Sequence, residues 1–310
     1  MIYTVTVNPA IDYVVRLDHL TAGEIHRSLG ESLHIGGKGI NVSLVLAALG
    51  LPSRALGFAA GYTGQAIEEG LRAAGIPSDF VRLDEGATRI NVKIKSGAAE
   101  APTETEINGR GPSVPADKLG ELVSKTECLA DGDTLVLAGS LPATLPSDTY
   151  EQMLARLAGR RVRTVVDATG DLLRRVLPYH PFLVKPNREE MSELFGRELR
   201  TAEDIVACAR ILQEAGAQNV LVSLAGDGAL LLDECGRVHT IGACRGTVVN
   251  SVGAGDSMVA GFLAGCERAD AEGRPDYAYA LRLGTAAGGA TAFSEGVADG
   301  TLIRALLETL

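Results

Sequence analysis

The chain has 310 residues, of which 46% are hydrophobic and 22% charged, so it is long enough for one large domain, or one and a half, with a full core. Its formal net charge of −10 argues against a nucleic-acid-binding surface, and no apolar stretch reaches the roughly 20 residues that a membrane span needs. Five scattered cysteines, none in a CxxC spacing, predict free thiols in a reducing cytoplasm and no structural zinc.

Apolar runs typical of buried strands alternate with helical periods along most of the chain. The first run lies at the N-terminus. It has no basic segment followed by an apolar one, so it predicts a first strand and not a signal peptide. This alternation indicates an α/β fold, a doubly wound, mostly parallel sheet with helices on both faces. The predicted strands are 2–7, Thr134–Ala138, 162–166, 182–184 and 220–224, and the predicted helices include 39–49, 65–74, 147–157 and 202–215.

Two segments, about 11–35 and 88–109, break this pattern. Their residues alternate with a period of two and place charged side chains on one face, as strands with a single buried face do. We expect these segments to form a small β-sheet lid on a single domain of residues 1–310.

The segment "VVNSVGAGDSMVAGF" (248–262) combines two glycines with one carboxylate. We predict a strand that ends at 248–249, a tight turn at Gly253 and Gly255, and a helix over 257–265. The free N–H groups at such a helix start form an anion site. Taken alone, Asp256 is equally explained as an acid in a first helical turn, where the helix dipole stabilises it by about 0.3–1 kcal/mol. The segment does not match GxGxxG, since Met258 replaces the third glycine, and the chain has no GxxxxGK[ST] P-loop.

A second glycine-rich loop lies in "HIGGKGINVSLVLAALG" (34–50). Gly37 would allow a ligand close to the backbone, Lys38 supplies a cation, and Asn41 can bond a hydroxyl group. A strand-to-helix turn with a solvated lysine is the alternative. Upstream, Asp12 in "TVNPAID" follows a strand end, where it could bind hydroxyl groups or simply form a turn.

Two further motifs carry polar groups at informative spacings. In "TRINVK", strand alternation places Arg89, Asn91 and Lys93 on one face, which suits a phosphate or a solvated sheet face. In "LVKPNREE", Asn187 is a predicted helix N-cap with Glu190 at capping-box spacing, which explains both residues without any function. The segment "VSLAGDGALL" predicts a β-hairpin.

The order and spacing of these motifs resemble the ribokinase/PfkB family of carbohydrate kinases over essentially the whole chain. The segments "GGKGIN" and "VNSVGAGDSMVAGFLAG" resemble its two signatures, "KPNREE" its N-x-x-E element, and "VSLAGDGA" its nucleotide-binding turn. Within the family, "TVNPAID", "TRINVK" and "LAGSLP" resemble the phosphosugar branch, 1-phosphofructokinases first and tagatose-6-phosphate kinases next. The resemblance implies a ribokinase-like fold, ATP and Mg²⁺, and a lid that commonly pairs two subunits into a homodimer.

The resemblance also implies a role for each matching residue. Asp256 would be the catalytic base, beside an anion hole formed by the amides of Gly253, Ala254 and Gly255. The implied sugar-phosphate contacts are Asp12, Gly37, Lys38, Asn41, Arg89, Asn91, Lys93 and Ser140, with Arg27 a weaker candidate. The implied ATP contacts are Lys185, Asn187, Ser223, Ala225, Gly226, Asp227, Gly228 and Gly255, with Asn187 and Glu190 organising Mg²⁺ partly through water; 286–292 would pack against adenine or simply against another helix.

The implied reaction is ATP-dependent phosphorylation of a ketohexose phosphate, in the first place fructose 1-phosphate to fructose 1,6-bisphosphate. Tagatose 6-phosphate and fructose 6-phosphate remain alternatives, because no single residue separates these substrates. Arg89 and Lys93 argue against a plain-sugar or nucleoside kinase, whereas Lys38 does not, since ribokinases also carry GGKG. The missing third glycine argues against an NAD-dependent dehydrogenase. The presence of Asp256 beside an intact glycine turn argues against a catalytically inactive sugar-binding regulator.

Overall fold

A computed structural model describes residues 1–97, 103–269 and 273–310, which contain thirteen strands and ten α-helices. Residues 98–102, within the second predicted lid segment, lie outside the described residues. The strands are β1 (Ile2–Thr6), β2 (Ala10–Leu17), β3 (Gly30–Gly36), β4 (Ser53–Ala60), β5 (Val81–Leu83), β6 (Arg89–Ser96), β7 (Thr103–Asn108), β8 (Thr134–Ala138), β9 (Arg163–Asp167), β10 (Leu183–Val184), β11 (Asn219–Ser223), β12 (Ala229–Leu232) and β13 (Val238–Ile241). The helices are α1 (Lys38–Ala48), α2 (Gly61–Ala73), α3 (Ala116–Thr126), α4 (Thr149–Ala155), α5 (Gly170–Val176), α6 (Arg188–Phe195), α7 (Ala202–Glu214), α8 (Ala254–Gly265), α9 (Tyr277–Ala292) and α10 (Gly300–Thr309).

Nine of the described strands form one large sheet in the order β13-β12-β11-β10-β9-β8-β1-β4-β5. Neighbours from β11 to β5 pair in parallel, whereas β12 and β13 form an antiparallel edge. Strand β8 is apolar along nearly its whole length because helices cover both of its faces, and Leu135, Val136 and Leu137 are fully buried. The predicted doubly wound α/β fold is confirmed.

Two hydrophobic cores lie on opposite faces of this sheet. One contains side chains of α3 to α7, and the other contains side chains of α1, α8, α9 and α10. Helices α8 and α9 approach closely because Gly261 and Gly265 carry no side chain at their contact. A Cβ on Gly261 would lie 2.6 Å from Leu283 O, and one on Gly265 would lie 2.4 Å from Ala280 Cα. This close packing fixes the start of α8, where Asp256 lies.

The four other described strands form the lid, in the order β3-β2-β6-β7. Strands β2 and β6 pair in parallel, with Asp12 opposite Asn91, and the outer pairs are antiparallel. Both predicted lid segments therefore form one separate sheet, as expected from their alternation.

The segment before α8 differs from the prediction. No strand is formed at 248–249: β13 ends at Ile241, and residues 242–253 form a loop. Val248 and Val249 are 64% and 46% exposed, and the N–H of Val249 donates to Ala292 O at the end of α9 instead of to a strand. Helix α8 begins at Ala254, three residues before the predicted start, so Asp256 lies in its first turn.

Two predictions from composition can be compared with the structure. All five cysteines are free, as predicted. Across the three described ranges, every helix is too short or too polar to cross a bilayer.

Candidate active site

A cavity of about 660 Å³ lies between the lid and the carboxyl ends of the parallel strands, the edge where open α/β sheets bind ligands. It brings together nearly all the predicted site residues. Ser140 is exposed beyond the end of β8 and does not line the cavity, and Arg27 is exposed in the β2–β3 connection. Asp227 also lies outside, where its carboxylate pairs with Arg188 at 2.6 Å.

Asp256 lies at the centre of this cavity, in the first turn of α8. Its side chain is almost completely buried, and Asn41 Nδ2 donates to Asp256 Oδ2 at 2.8 Å. Burial, reinforced by the negative charge of Asp167, raises the pKa of Asp256 to about 6, against the attraction of Lys38 and the hydrogen bond from Asn41. A carboxylate with a pKa near the working pH is suited to accept a proton.

Asp167, at the end of β9, binds two lysines from different parts of the site. Lys38 Nζ lies 2.9 Å from Asp167 Oδ2, and Lys185 Nζ lies 3.3 Å from Asp167 Oδ1. Burial opposes ionisation of Asp167, but Lys185 and Lys38 outweigh it and lower its pKa. Burial likewise disfavours the charge of Lys38, and Asp167 and Asp256 together raise its pKa above the usual value. Asp167 was not among the predicted site residues, although an acid at the carboxyl end of a predicted parallel strand is a usable signal.

The predicted anion hole coincides with the N-terminus of α8. Gly253 is the N-cap in a left-handed conformation, with φ of 81°, and among the described residues no side chain caps this helix. A Cβ on Gly255 would lie 3.1 Å from Lys185 Nζ, so the glycine lets the ammonium group approach the helix start. The N–H of Ala254 donates to Ser251 O at 3.3 Å, a turn hydrogen bond with which a phosphoryl group has to compete.

The lid supplies one end of the cavity, the end predicted to bind the sugar phosphate. Asn91 Nδ2 donates to Asp12 Oδ1 at 2.9 Å, and a Cβ on Gly36 would lie 3.0 Å from Asp12 Oδ2. Arg89 Nε donates to the carbonyl oxygen of Asn8 at 3.2 Å, and burial lowers the pKa of Arg89 against the opposing charge of Asp12. Asp12, Asn91 and Arg89 thus line the same cavity.

Lys93 differs from its predicted role as a phosphate cation. Its Nζ lies 3.6 Å from Asp12 Oδ2 and 3.5 Å from Glu106 Oε1, and its side chain is 6% exposed. Two carboxylates therefore already balance the charge of Lys93 in the structure. Glu106 and Asn108 also line the cavity and were missed, although cross-strand register places Glu106 opposite Lys93 and Asn108 opposite Asn91.

The other end, predicted to bind the nucleotide, contains the predicted capping box and hairpin. Asn187 Oδ1 accepts from Glu190 N at 2.7 Å, and Glu190 Oε2 accepts from Asn187 N at 2.8 Å, so the structural interpretation of both residues is confirmed. Both also line the cavity with Lys185. The hairpin of β11 and β12 contributes Ser223, Ala225, Gly226 and Gly228.

Helix α9 forms the far wall of this end. Gly288, Gly289 and Ala292 line the cavity, whereas Ala286 is fully buried in helix packing. Helix packing therefore explains Ala286, whereas the three lining residues remain open to either predicted contact. Three further lining residues, Cys244, Thr285 and Phe293, were missed because nothing in their sequence neighbourhood marks them.

Comparison with known proteins decides the family. The profile of the pfkB family carbohydrate kinases matches residues 3–303. The chain belongs to the pfkB family of carbohydrate kinases. It is therefore a phosphotransferase with an alcohol group as acceptor, and the dehydrogenase alternative is wrong.

Members of this family resemble the chain along its whole length. It is 42% identical over 307 residues to the 1-phosphofructokinase of Bacillus subtilis (strain 168), covering 99% of this chain and 97% of that protein. It is 38% identical over 304 residues to the D-tagatose-1-phosphate kinase of Bacillus licheniformis, covering 96% and 95%. Among solved structures, a putative phosphofructokinase from Staphylococcus aureus superposes with a TM-score of 0.85 at 40% identity, covering 99% of this chain and 97% of that one.

Proposed function

We propose that this pfkB-family kinase transfers the γ-phosphoryl group of ATP to fructose 1-phosphate and forms fructose 1,6-bisphosphate. The observation that carries the proposal is the buried Asp256, with a pKa of about 6, in one cavity with Arg89 and Asp12. The full-length similarity to a 1-phosphofructokinase supports the choice of substrate.

The proposed chemistry is an in-line phosphoryl transfer. Asp256 accepts the proton of the attacking sugar hydroxyl, whose oxygen forms a bond to the γ-phosphorus while the bond from that phosphorus to the bridging oxygen of ADP breaks. Asn41 holds Asp256 Oδ2, which leaves the other carboxylate oxygen to face the hydroxyl. The amides of Gly253 and Gly255 stabilise negative charge on the transferred group, and Ala254 contributes once its turn bond opens.

We infer that Arg89 binds the phosphate group that the substrate already carries. The described residues provide four cations at this cavity, Lys38, Arg89, Lys93 and Lys185, and three of them are paired with a carboxylate within 4 Å. The guanidinium of Arg89 instead donates to the carbonyl oxygen of Asn8, a neutral partner. Arg89 is therefore the one of these four cations without a carboxylate paired to it within 4 Å, which leaves its guanidinium available to a phosphate.

The residues at the nucleotide end fit a magnesium ion held mainly by phosphates and water. Within the described residues, no group of three or more His, Cys, Asp or Glu is placed to hold a metal, so a cage made only of protein ligands is not present there. Glu190 keeps one carboxylate oxygen outside its capping bond, and Asn187 and Glu189 line the same wall. We infer that these residues would hold Mg²⁺ largely through water, and the ion would shield the charge of the ATP phosphates.

The substrate is tested by a coupled assay that offers ATP with five acceptors. These are fructose 1-phosphate, D-tagatose 1-phosphate, tagatose 6-phosphate, fructose 6-phosphate and free fructose. We expect the highest kcat/KM for fructose 1-phosphate, and free fructose should be a poor substrate because it has no group for Arg89. Equal values for fructose and its phosphates would contradict the proposal, and D-tagatose 1-phosphate is the second candidate because of the similar kinase that bears that name.

We also propose that two copies associate through the outer face of the lid. Cross-strand register aligns Leu33, Tyr13, Val92 and Ile107 in one row over all four strands. Leu33 is 68% exposed and Ile107 is 59% exposed, an unusual concentration of apolar surface. Sedimentation analysis should give a dimer for the wild type and a monomer for Leu33→Glu/Ile107→Glu, whereas a monomeric wild type would refute the proposal.

We further infer a cytoplasmic location. The five unpaired thiols support it, because oxidising compartments favour disulfides. Fractionation of cells that express the tagged chain tests it, and recovery of the chain outside the cytoplasmic fraction would contradict it.

A further inference from the structure

A narrow slot extends the cavity between α9 and the loop that follows β13. Ala243 and Cys244 line it from the loop, and Gly288 and Gly289 line it from the helix. The two walls pack closely where they meet, because a Cβ on Gly289 would lie 2.7 Å from both Cβ and Sγ of Cys244. The cavity therefore ends at this contact, and small apolar residues line it just before that point.

Thr285 places one polar group in this apolar slot. The residue is 4% exposed, it lines the cavity, and its Oγ1 has no hydrogen-bond partner among the described residues. A buried polar atom without a partner lowers stability and requires an explanation. Because Thr285 lines the cavity, its unsatisfied hydroxyl group indicates a hydrogen-bond partner on the bound ligand.

Other hydroxyl groups of the same helical region show what is usual. Ser294 Oγ donates to Ala290 O at 2.8 Å, the common bond of a helical hydroxyl to the carbonyl one turn earlier. Thr291 Oγ1 lies 2.7 Å from Ser257 Oγ and also accepts from Ala298 N. The hydroxyl of Thr285 is left without such a bond, while its own carbonyl oxygen accepts from Cys244 Sγ at 3.6 Å.

We propose that Thr285 Oγ1 hydrogen-bonds the heterocyclic base of the nucleotide and thereby contributes to its recognition. This inference rests on the proposed ATP-dependent activity. The slot belongs to the same cavity as Lys185 and the β11–β12 hairpin, so a nucleotide with its phosphates at α8 has its base directed to α9. A hydroxyl group both donates and accepts, so it can bond a ring nitrogen or an exocyclic amine, while the apolar walls contact the faces of the ring.

The test is Thr285→Val, which removes the hydroxyl group and keeps the volume and branching of the side chain. Calorimetric titration without sugar phosphate should show about a 3- to 10-fold weaker Kd for ATP and ADP, the range expected for one net hydrogen bond. The KM for the sugar phosphate should stay unchanged. Thr285→Ser, which keeps the hydroxyl group, should bind ATP nearly as tightly as the wild type.

Inorganic tripolyphosphate separates the base from the phosphates. Its affinity, measured by competition with a bound nucleotide, should be the same for wild type and Thr285→Val, because tripolyphosphate has no base. Thr291→Val is the matched control, since its hydroxyl is bonded within the protein; it should lower Tm without changing the ratio of ATP to tripolyphosphate affinity. A thermal melt checks the folding of each variant, and Thr285→Ala replaces valine if Thr285→Val does not fold.

The possible results distinguish a failure of the role proposed for Thr285 from a failure of the proposed ATP-dependent kinase activity. Unchanged ATP affinity in a folded Thr285→Val, or an equal loss for ATP and tripolyphosphate, overturns the role of Thr285 in base recognition and leaves the kinase assignment intact. A wild-type protein that binds no ATP at all instead overturns the proposed function.

Discussion

The pH dependence of turnover is the most direct consequence of the buried Asp256. A base must be deprotonated to accept the proton of the sugar hydroxyl, so activity should rise as pH increases through the pKa of Asp256. With a pKa of about 6, the ionised fraction is about 9% at pH 5 and about 91% at pH 7. We therefore expect kcat/KM, which reports the pKa values of the free enzyme, to fall about tenfold between pH 7 and pH 5. With the usual value of 3.8, the fall would be less than about 10%.

The substrates complicate this measurement, because phosphate monoesters also titrate near pH 6. Asp167→Asn resolves the ambiguity. Burial is the first cause of the raised pKa of Asp256 and the negative charge of Asp167 is the second, so removing that charge should lower the pKa of Asp256. The acid limb of the profile should then move to lower pH, while the titration of the sugar phosphate, followed by ³¹P NMR, stays where it was.

The assay is kcat/KM for the sugar phosphate at a fixed ATP concentration from pH 4.5 to 8, with a thermal melt at each pH. Removing Asp167 leaves Lys38 and Lys185 without their shared carboxylate, so Asp167→Asn should also be less stable, by about 3–5 kcal/mol if the loss matches that of other buried pairs. A profile that stays flat to pH 5, or an acid limb that Asp167→Asn does not move, would refute the assignment of this limb to Asp256.

Three substitutions test the other parts of the site. Asp256→Asn should leave Tm and the Kd for ATP close to wild type and lower kcat by about two to four orders of magnitude, the range for acid–base catalysis; near-normal turnover would reduce Asp256 to a stabilising acid at a helix start. Arg89→Ala should raise the KM for the sugar phosphate at least tenfold, by about 1.5–3 kcal/mol for a charged hydrogen bond, with little change in the KM for ATP, and Arg89→Lys should recover part of the loss. An equal rise in both KM values would contradict its role at the phosphate. Lys93→Met should lower the free energy of unfolding in urea by about 2 kcal/mol, less than a fully buried pair because Glu106 is 37% exposed. A large rise in the KM for sugar phosphate at unchanged stability would show instead that Lys93 binds the phosphate.

Much of the fold could be predicted because local patterns determined it. Strand β8 was predicted to the residue, since its four apolar residues in the middle of a parallel sheet have only one satisfactory environment. The two lid segments were recognised from their alternation. Residues 248–249 were wrongly predicted as a strand because two adjacent valines favour extended backbone, whereas the hydrogen bond that holds this loop comes from the end of α9, far away in sequence.

Most residues of the site could be predicted from the sequence, but the ion pairs between them could not. Motif spacing identified Asp256, Asn41 and Arg89, all of which line the cavity. It could not show that Asp167 pairs with Lys38, 129 residues away, or that Glu106 neutralises Lys93 across two strands. Such pairings arise from tertiary structure, and they decide which cation remains available to a substrate.

Asp167 has a consequence for how the two substrates affect one another. One of its oxygens binds the lysine of the glycine loop at the sugar end, and the other binds the lysine that precedes the capping box at the nucleotide end. A phosphate that attracts one lysine away from this carboxylate strengthens its hold on the other lysine. We therefore expect the affinities of sugar phosphate and ATP to be thermodynamically linked through this residue. Such a linkage is reciprocal: whichever ligand binds first alters the free energy of binding of the second by the same amount.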